Sequence, residues 1–233
     1  MKKIGILGGM TFESTTTYYH RINRQVNQAM GGMHCAEMIL YNLDFDFINE
    51  RMHAQDWEPI YQRLLAAAQK VQADGADFLV IATNTMHRFY ERLQAELHIP
   101  ILHIGDCIAH ECQAQGLQKV LLLGTIFTMQ QDFLKQRLQD NGIRVVVPAS
   151  EADMREIHHI IIDELAFGNI LDSSRARYVE IINGMIEQEA IEGVVLGCTE
   201  IELLIKPGDV VIPVIDSTQA HVNGSVRVIV EEK

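Results

Sequence analysis

The sequence has 233 residues, of which 48% are hydrophobic and 21% are charged, and its formal net charge is -12 at pH 7. This length and composition allow a buried core in one domain or two small ones, and they exclude a disordered or fibrous chain. Because the balance is acidic and no cluster of Lys and Arg interrupts it, we expect neither nucleic acid nor an anionic membrane as a partner.

The N-terminal segment MKKIGILGG places two lysines before a short apolar run, as a signal peptide does. The apolar run stops at Gly8 and Gly9, and no small-residue cleavage pattern follows it. We therefore interpret Lys3 to Leu7 as a first β-strand and expect a cytoplasmic protein.

Short apolar runs recur along the chain and alternate with longer segments of helical periodicity. Residues 61–75 and 173–190 are the clearest of these helical segments. Strand and helix in repetition predict an α/β fold with parallel sheets and helices on both faces. After the first strand, the predicted strands are Ala36 to Asn42, Phe78 to Ala82, Ile101 to Ile104, Val120 to Leu123, Arg144 to Val147, Gly193 to Leu196 and Val210 to Ile215.

The four cysteines, Cys35, Cys107, Cys112 and Cys198, form no CxxC pair. The spacing of Cys107 and Cys112 suits neither a zinc site nor a disulfide framework. We expect reduced thiols and no metal.

The most informative feature of the sequence is an internal repeat. KIGILGG matches KVLLLGT, ADFLVIATN matches IEGVVLGCT, and HIPILH matches VIPVID, in the same order and 113 to 116 residues apart. The repeat predicts two similar three-layer lobes with mainly parallel sheets, related by a pseudo-two-fold axis: residues 1–103 with about 216–233, and residues 104–215. Ordinary similarity between the strands of one doubly wound domain is the alternative.

The repeat aligns Thr83 with Cys198, each just after a predicted strand. Open α/β sheets bind ligands at the carboxyl ends of their strands, so we expect an active site between the two lobes. Two proton-handling groups flanking one carbon can remove a proton from one face and return it to the other. The pair therefore predicts a racemase or epimerase that needs no cofactor.

Four motifs together resemble the aspartate/glutamate racemase family over essentially the whole chain: GILGGM, TNTMH, LLGTIFTM and GCTEI. The resemblance implies a paired acid and base that act without pyridoxal phosphate. Both are cysteine in most of the family, whereas Thr83 stands first here, as in a subgroup similar to L-aspartate/glutamate-specific or broad-specificity amino-acid racemases. Ala166 is a second difference, because relatives that use aspartate commonly carry lysine there, in a Lys-x-Gly segment.

Cys198 is the predicted base. Thr199 and Glu202 form a capping-box pattern, so the thiol is expected at a helix N-terminus, where the thiolate is favoured. A buried, unreactive cysteine is the alternative. Glu200 is expected to be a solvated first-turn glutamate, with tuning of the thiol or binding of an ammonium group as the alternatives.

Thr83 is the second predicted catalytic residue, although its hydroxyl is a poor base near neutral pH. We expect it to donate a hydrogen bond, to relay a proton through water, or to return a proton slowly. A helix-capping threonine without a proton role is the alternative. Asn84 and Thr85 are expected to bind a substrate carboxylate beside helix N–H groups, which is compatible with capping.

Met10 and Thr199 complete the predicted substrate-binding residues. The resemblance implies that the backbone N–H of Met10 donates to a carboxylate, although a glycine pair before it is typical of any turn. Arg51 is the nearest candidate cation for a side-chain carboxylate, but we expect an ordinary surface arginine. His87 receives no role.

The sequence as a whole predicts a two-lobed racemase whose partner is a small acidic amino acid, aspartate or glutamate. Two alternatives keep the fold and change the function. One is a single-cysteine decarboxylase of malonate-type acids, and the other is an amino-acid-binding protein whose catalysis was lost at Thr83. The sequence leaves a homodimer open.

Overall fold

The computed structural model describes residues 1–231. They form two compact units, the first made of Met1–His103 with the chain from His221 onward, and the second made of Ile104–Ala220. We retain as a proposal that these units are the lobes expected from the repeat. None of the helices within residues 1–231 combines the length and the apolar composition needed to cross a bilayer.

Seven strands and eleven α-helices alternate along the described chain, as the sequence predicts. In chain order they are β1 (Ile4–Gly8), α1 (Phe12–Met30), β2 (Met38–Asn42), α2 (Phe45–His53), α3 (Trp57–Ala73), β3 (Phe78–Ile81), a 3-10 helix (Thr85–Phe89), α4 (Tyr90–Glu96), α5 (Ile104–Ala114), β4 (Lys119–Leu123), α6 (Ile126–Gln130), α7 (Asp132–Asp140), β5 (Arg144–Val146), α8 (Glu151–His159), a π-helix (Ile160–Glu164), a second 3-10 helix (Leu165–Phe167), α9 (Asp172–Glu189), β6 (Gly193–Leu196), α10 (Ile201–Leu204), β7 (Val214–Asp216) and α11 (Ser217–Val230).

The sheet of the first unit is parallel and has the order β2-β1-β3. A single parallel bridge joins Leu79 to Ile101 beyond β3. The predicted strand Ile101 to Ile104 is therefore wrong after its first residue. The N–H of Leu79 donates to the Pro100 carbonyl and the N–H of Leu102 to the Leu79 carbonyl, and α5 begins too soon for further pairing.

Both faces of this sheet are covered by helices, as predicted. One face contributes Leu7, Leu79 and Ile81 to an apolar core shared with α2, α3 and α4. The other face belongs to a second core with α1 and α11, to which the strands contribute Ile4, Ile6, Phe78 and Val80. Because side chains alternate along a strand, a strand buried on both faces appears in sequence as the unbroken apolar run seen here.

The sheet of the second unit is also parallel, with the order β5-β4-β6-β7. Its core joins strand residues to α8, α9 and α10. The predicted strand Val210 to Ile215 begins late, at Val214. A turn centred on Gly208 is held by the Asp209 carboxylate, which accepts from the Lys206 N–H at 2.7 Å, and extended pairing starts only after Pro213.

The internal repeat is present in the backbone hydrogen bonds of the two units. The N–H of Asp77 donates to the Lys3 carbonyl, and the N–H of Glu192 donates to the Lys119 carbonyl, each at 2.8 Å. Each acidic side chain accepts in return, because the N–H of Lys3 donates to Asp77 at 2.7 Å and that of Lys119 to Glu192 at 3.0 Å. Residues matched by the repeat therefore begin their strands in the same way.

Matching bonds also fix the far ends of the strands. The N–H of Ala82 donates to the Leu7 carbonyl at 2.9 Å, and the N–H of Gly197 donates to the Leu123 carbonyl at 2.6 Å. Ala82 and Gly197 directly precede the two predicted catalytic residues. Each unit thus holds its candidate residue on an equivalent backbone frame.

Candidate active site

The turn after β1 requires glycine. Gly9 has φ 85°, and a Cβ atom there would lie 2.0 Å from the carbonyl oxygen of Leu43. The N–H of Gly9 donates to Oγ1 of Thr15 at 2.7 Å. Met10 follows with its side chain in the apolar core, so only its backbone is available for the carboxylate-binding role predicted for it.

Thr83 lies in a turn whose carbonyl groups are each bound by a donor. Ser14 Oγ donates to the Ala82 carbonyl at 3.1 Å. The His87 ring binds the Thr83 carbonyl through Nδ1 at 2.8 Å, and the His87 N–H donates to the Asn84 carbonyl at 3.1 Å. Because buried carbonyls need partners, these bonds hold the turn in one conformation.

The 3-10 helix after this turn begins at Thr85, and its N-cap is Asn84, without a capping hydrogen bond from the side chain. Thr83 is therefore not the helix-capping residue of the alternative interpretation. Asn84 and Thr85 are buried, whereas Thr83 is partly exposed. The pairing of β1 with β3 places these three residues and Met10 at one edge of the first unit's sheet.

Cys198 is bound to the side chain of Glu200. The thiol donates to Oε2 of Glu200, with Sγ and Oε2 2.9 Å apart, and the Thr199 hydroxyl donates to the same oxygen at 2.7 Å. The Glu200 carboxylate therefore joins the side chains of Cys198 and Thr199. Of the roles considered for Glu200, this contact favours tuning of the thiol.

The predicted capping box at Thr199 and Glu202 is wrong. Helix α10 has only four residues, its N-cap is Glu200, and no side chain caps it, since Thr199 is bound to Glu200 instead. Burial, then the negative charge of Glu200, then the hydrogen bond to Glu200 raise the pKa of the Cys198 thiol well above its usual value, against backbone N–H groups that lower it. This direction is opposite to the lowered thiol pKa that a helix N-terminus was expected to produce.

Residues around Cys198 include two that the sequence analysis left out of the site. Thr128 is fully buried, and its Cγ2 would lie 3.1 Å from a Cβ atom at Gly197. Tyr178 is buried in α9 within the core against which Cys198 packs, its hydroxyl donates to the Ile157 carbonyl at 3.2 Å, and burial is the main cause that raises its pKa. Its only signal in the sequence is an apolar position at helical spacing.

Arg51 is half-buried and is not an ordinary surface arginine. Its guanidinium lies 3.6 Å from the centroid of the Phe47 ring, and Nη1 donates to the Phe47 carbonyl at 3.2 Å. Its Nε–H is buried and has no hydrogen-bond partner within residues 1–231. A buried donor left unsatisfied is costly, and an anion is the natural group to satisfy it. Ala166 is exposed and brings no cation.

Comparison with known proteins identifies the kind of enzyme. Residues 7–224 match the family model described as Asp/Glu/Hydantoin racemase. The chain is 24% identical over 218 residues to the broad specificity amino-acid racemase RacX of Bacillus subtilis (strain 168), and the match covers 92% of each chain.

Two solved structures cover nearly the whole chain, each at 38% identity. A proposed Asp/Glu racemase from Yersinia pestis superposes with a TM-score of 0.93 over 99% of this chain and 100% of that one. PH1733, an aspartate racemase homologue from Pyrococcus horikoshii OT3, superposes with a TM-score of 0.86 and the same coverage of both chains. These matches confirm the predicted fold and the prediction of an amino-acid racemase. The chain belongs to the Asp/Glu/Hydantoin racemase family.

Proposed function

We propose that the protein racemises an acidic amino acid, aspartate or glutamate, without pyridoxal phosphate. Cys198 removes the proton from one face of the α-carbon, and a proton is returned to the opposite face from the side of Thr83. The observation that carries this proposal is the contact of the Cys198 thiol with the Glu200 carboxylate at 2.9 Å. A thiol held against a carboxylate has both a proton to give and an acceptor for that proton.

The contact supports the following order of proton transfers. As the thiol proton moves to Oε2 of Glu200, the sulfur becomes a thiolate and takes the α-proton, so that one S–H bond breaks and another forms. The electron pair of the broken C–H bond remains on the substrate as a carbanion stabilised by its carboxylate. The Thr83 hydroxyl, or a water bound to it, gives a proton to the opposite face of the carbanion and completes the inversion. Exchange with solvent then returns a proton to the Thr83 side and removes the proton held by Glu200.

Substrate binding follows from the groups already described. The N–H of Met10 and the Asn84 and Thr85 side chains bind the α-carboxylate, and Thr199 lies beside the reacting thiol. Arg51 pairs with the side-chain carboxylate, because its buried Nε–H is a donor available to an anion. A planar guanidinium that already stacks on a ring is well suited to hold a carboxylate in one orientation.

A raised thiol pKa also favours a second function. A protonated Cys198 could supply a proton to one face of an enolate, as the decarboxylase of malonate-type acids requires. The proposed racemase differs from it in needing a carboxylate that accepts the thiol proton, which Glu200 supplies.

One experiment separates the candidates. Protein purified without added cofactor is incubated with L-aspartate or L-glutamate in deuterium oxide, and α-deuterium and the D-isomer are measured by mass spectrometry and chiral chromatography. The racemase incorporates deuterium and forms the D-isomer. Release of carbon dioxide from an arylmalonate without exchange would establish the decarboxylase, and binding without exchange would establish the binding protein. Activity that depends on pyridoxal phosphate would contradict the mechanism.

A further inference from the structure

Three buried histidines lie together behind the turn that carries Thr83, within the first unit. His87, His103 and His221 are 2%, 3% and 0% exposed. The ring centroid of His87 lies 4.8 Å from that of His103 and 5.6 Å from that of His221. The His87 ring is thereby packed between two other aromatic side chains.

The contacts of His221 define its tautomer. Its Nε2 lies 2.9 Å from the Leu102 carbonyl, which can only accept, so Nε2 carries the hydrogen. Its Nδ1 lies 2.9 Å from the Tyr18 hydroxyl and accepts from it. Both nitrogens of the neutral ring have hydrogen-bond partners, so the His221 ring is held in one orientation where it packs against His87.

The same reasoning applies to His87. Its Nδ1 faces the Thr83 carbonyl at 2.8 Å, so this nitrogen is the donor, while its backbone N–H donates to the Asn84 carbonyl at 3.1 Å. A single residue therefore holds the carbonyls of both Thr83 and Asn84. The backbone N–H of His87 bonds to the Asn84 carbonyl, so it is the ring of His87 that reaches the Thr83 carbonyl.

We infer that His87 is a positioning residue, which sets the orientation of the Thr83 hydroxyl by holding its carbonyl with the Nδ1–H donor. This inference rests on the proposed function. The step that His87 affects is the return of the proton from the Thr83 side. Without the donor, a buried carbonyl lacks its partner and the turn relaxes. A displacement of about 1 Å at a reacting group is enough to lower a rate by about a hundredfold.

The test compares two substitutions of His87. His87→Asn places an amide N–H near the position of Nδ1 and keeps the donor, whereas His87→Leu fills similar space and removes it. The measured quantity is the rate of D-isomer formation divided by the rate of α-deuterium incorporation into the L-substrate. His87→Leu lowers this ratio by about tenfold or more, and His87→Asn stays within about threefold of the wild type.

Val26→Ala is the matched control for lost packing, because Val26 is fully buried in the first unit's core on α1. It lowers the thermal midpoint and leaves the ratio at the wild-type value. Equal ratios in the wild type and His87→Leu, or equal losses in His87→Leu and His87→Asn, overturn the positioning role while the proposed function stands. A wild type that exchanges no α-proton overturns both.

Discussion

Sγ of Cys198 lies 2.9 Å from Oε2 of Glu200, and the thiol donates to the carboxylate. In this pair the carboxylate has two opposite effects. Its charge is one cause of the raised pKa of the thiol, and in the proposed mechanism its Oε2 accepts the thiol proton when the α-proton is taken. The pair therefore works as one unit, and its two members are best tested separately.

Glu200→Gln keeps the shape of the side chain and removes its charge. We expect the pKa of Cys198 to fall, because the negative charge of Glu200 is a cause of its increase. We also expect α-proton exchange to slow by about a hundredfold, since the acceptor of the thiol proton is lost. The pH dependence of iodoacetamide alkylation, measured in a Cys35→Ser background that removes the exposed thiol, reports the first effect. Glu202→Gln is the control, because it changes the next carboxylate in the chain and should alter neither the pKa of Cys198 nor the exchange rate. A wild-type exchange rate in Glu200→Gln would show that Glu200 has no part in the mechanism.

Cys198→Ser should abolish exchange, because a hydroxyl stays protonated where a thiol can ionise. Thr83→Ala should spare much of the exchange from the L-substrate while reducing inversion, since exchange needs one base and inversion needs delivery from the far side. Deuterium incorporation into L- and D-substrate, measured separately, gives both rates. Equal wild-type rates from the two enantiomers, or complete loss of exchange in Thr83→Ala, would make Thr83 a true base.

Thr83→Cys should restore the pair of cysteines that the family resemblance implies for most members. With a second ionisable thiol, exchange should start from the D-substrate as well as from the L-substrate. Thr83→Ser keeps a hydroxyl of the same acidity and is the matched control. A Thr83→Cys variant whose D-substrate exchange stays at the Thr83→Ser level would show that position 83 does not reach the α-carbon.

Arg51→Met should raise KM for aspartate by about tenfold or more, equivalent to about 1.4 kcal/mol of binding. The reason is that the guanidinium with the buried, unbonded Nε–H is removed, whereas the methionine side chain still covers the Phe47 ring. Arg63→Met is the control, because Arg63 lies over the same ring at 4.5 Å and is exposed. If both variants raise KM equally, the effect belongs to the packing on Phe47 and not to a carboxylate site.

The stability of the protein should depend on pH through His221. Burial, and then the neighbouring His87, lower the pKa of His221 from 6.5 to about 3, against the bond to the Leu102 carbonyl. The unfolded chain then binds the extra proton between these values, so the free energy of unfolding falls as pH falls from 6.5 towards 3. Urea unfolding of His221→Gln should show a smaller loss over this range, by on the order of a few kcal/mol. His110→Gln, at an exposed histidine, should match the wild type, and an unchanged slope in His221→Gln would contradict the prediction.

The strand framework could be predicted because buried parallel strands are continuous apolar runs and because the two halves repeat. The pairing of Thr83 with Cys198 in the alignment followed from the same repeat, and matching hydrogen bonds of Ala82 and Gly197 support it. The capping box could not be judged from spacing. The N-cap of helix α10 is Glu200, one residue later than a capping box at Thr199 and Glu202 requires, and the Thr199 hydroxyl bonds to Glu200 instead.

The side-chain contacts that hold the site in place could not be predicted from the sequence for a different reason. The contact of Cys198 with Glu200 spans two residues and depends on a side-chain rotamer, which no periodicity reports. The ring of His221 meets Tyr18, which lies 203 positions earlier in the chain, so it has no local signal at all. The partner of the His87 ring is the Thr83 carbonyl, four residues earlier, and this contact depends on the conformation of the turn.

The path of the chain has a consequence for how the protein is made. The first unit consists of the chain up to His103 and again from His221. In α11, the side chains of Val222, Val226 and Ile229 cover the sheet face that carries Ile4 and Ile6. On the ribosome, every residue of the second unit is synthesised before those three side chains emerge. The half that begins translation is thus the half that finishes its core last, and a nascent chain stalled before α11 would display an open apolar face to chaperones.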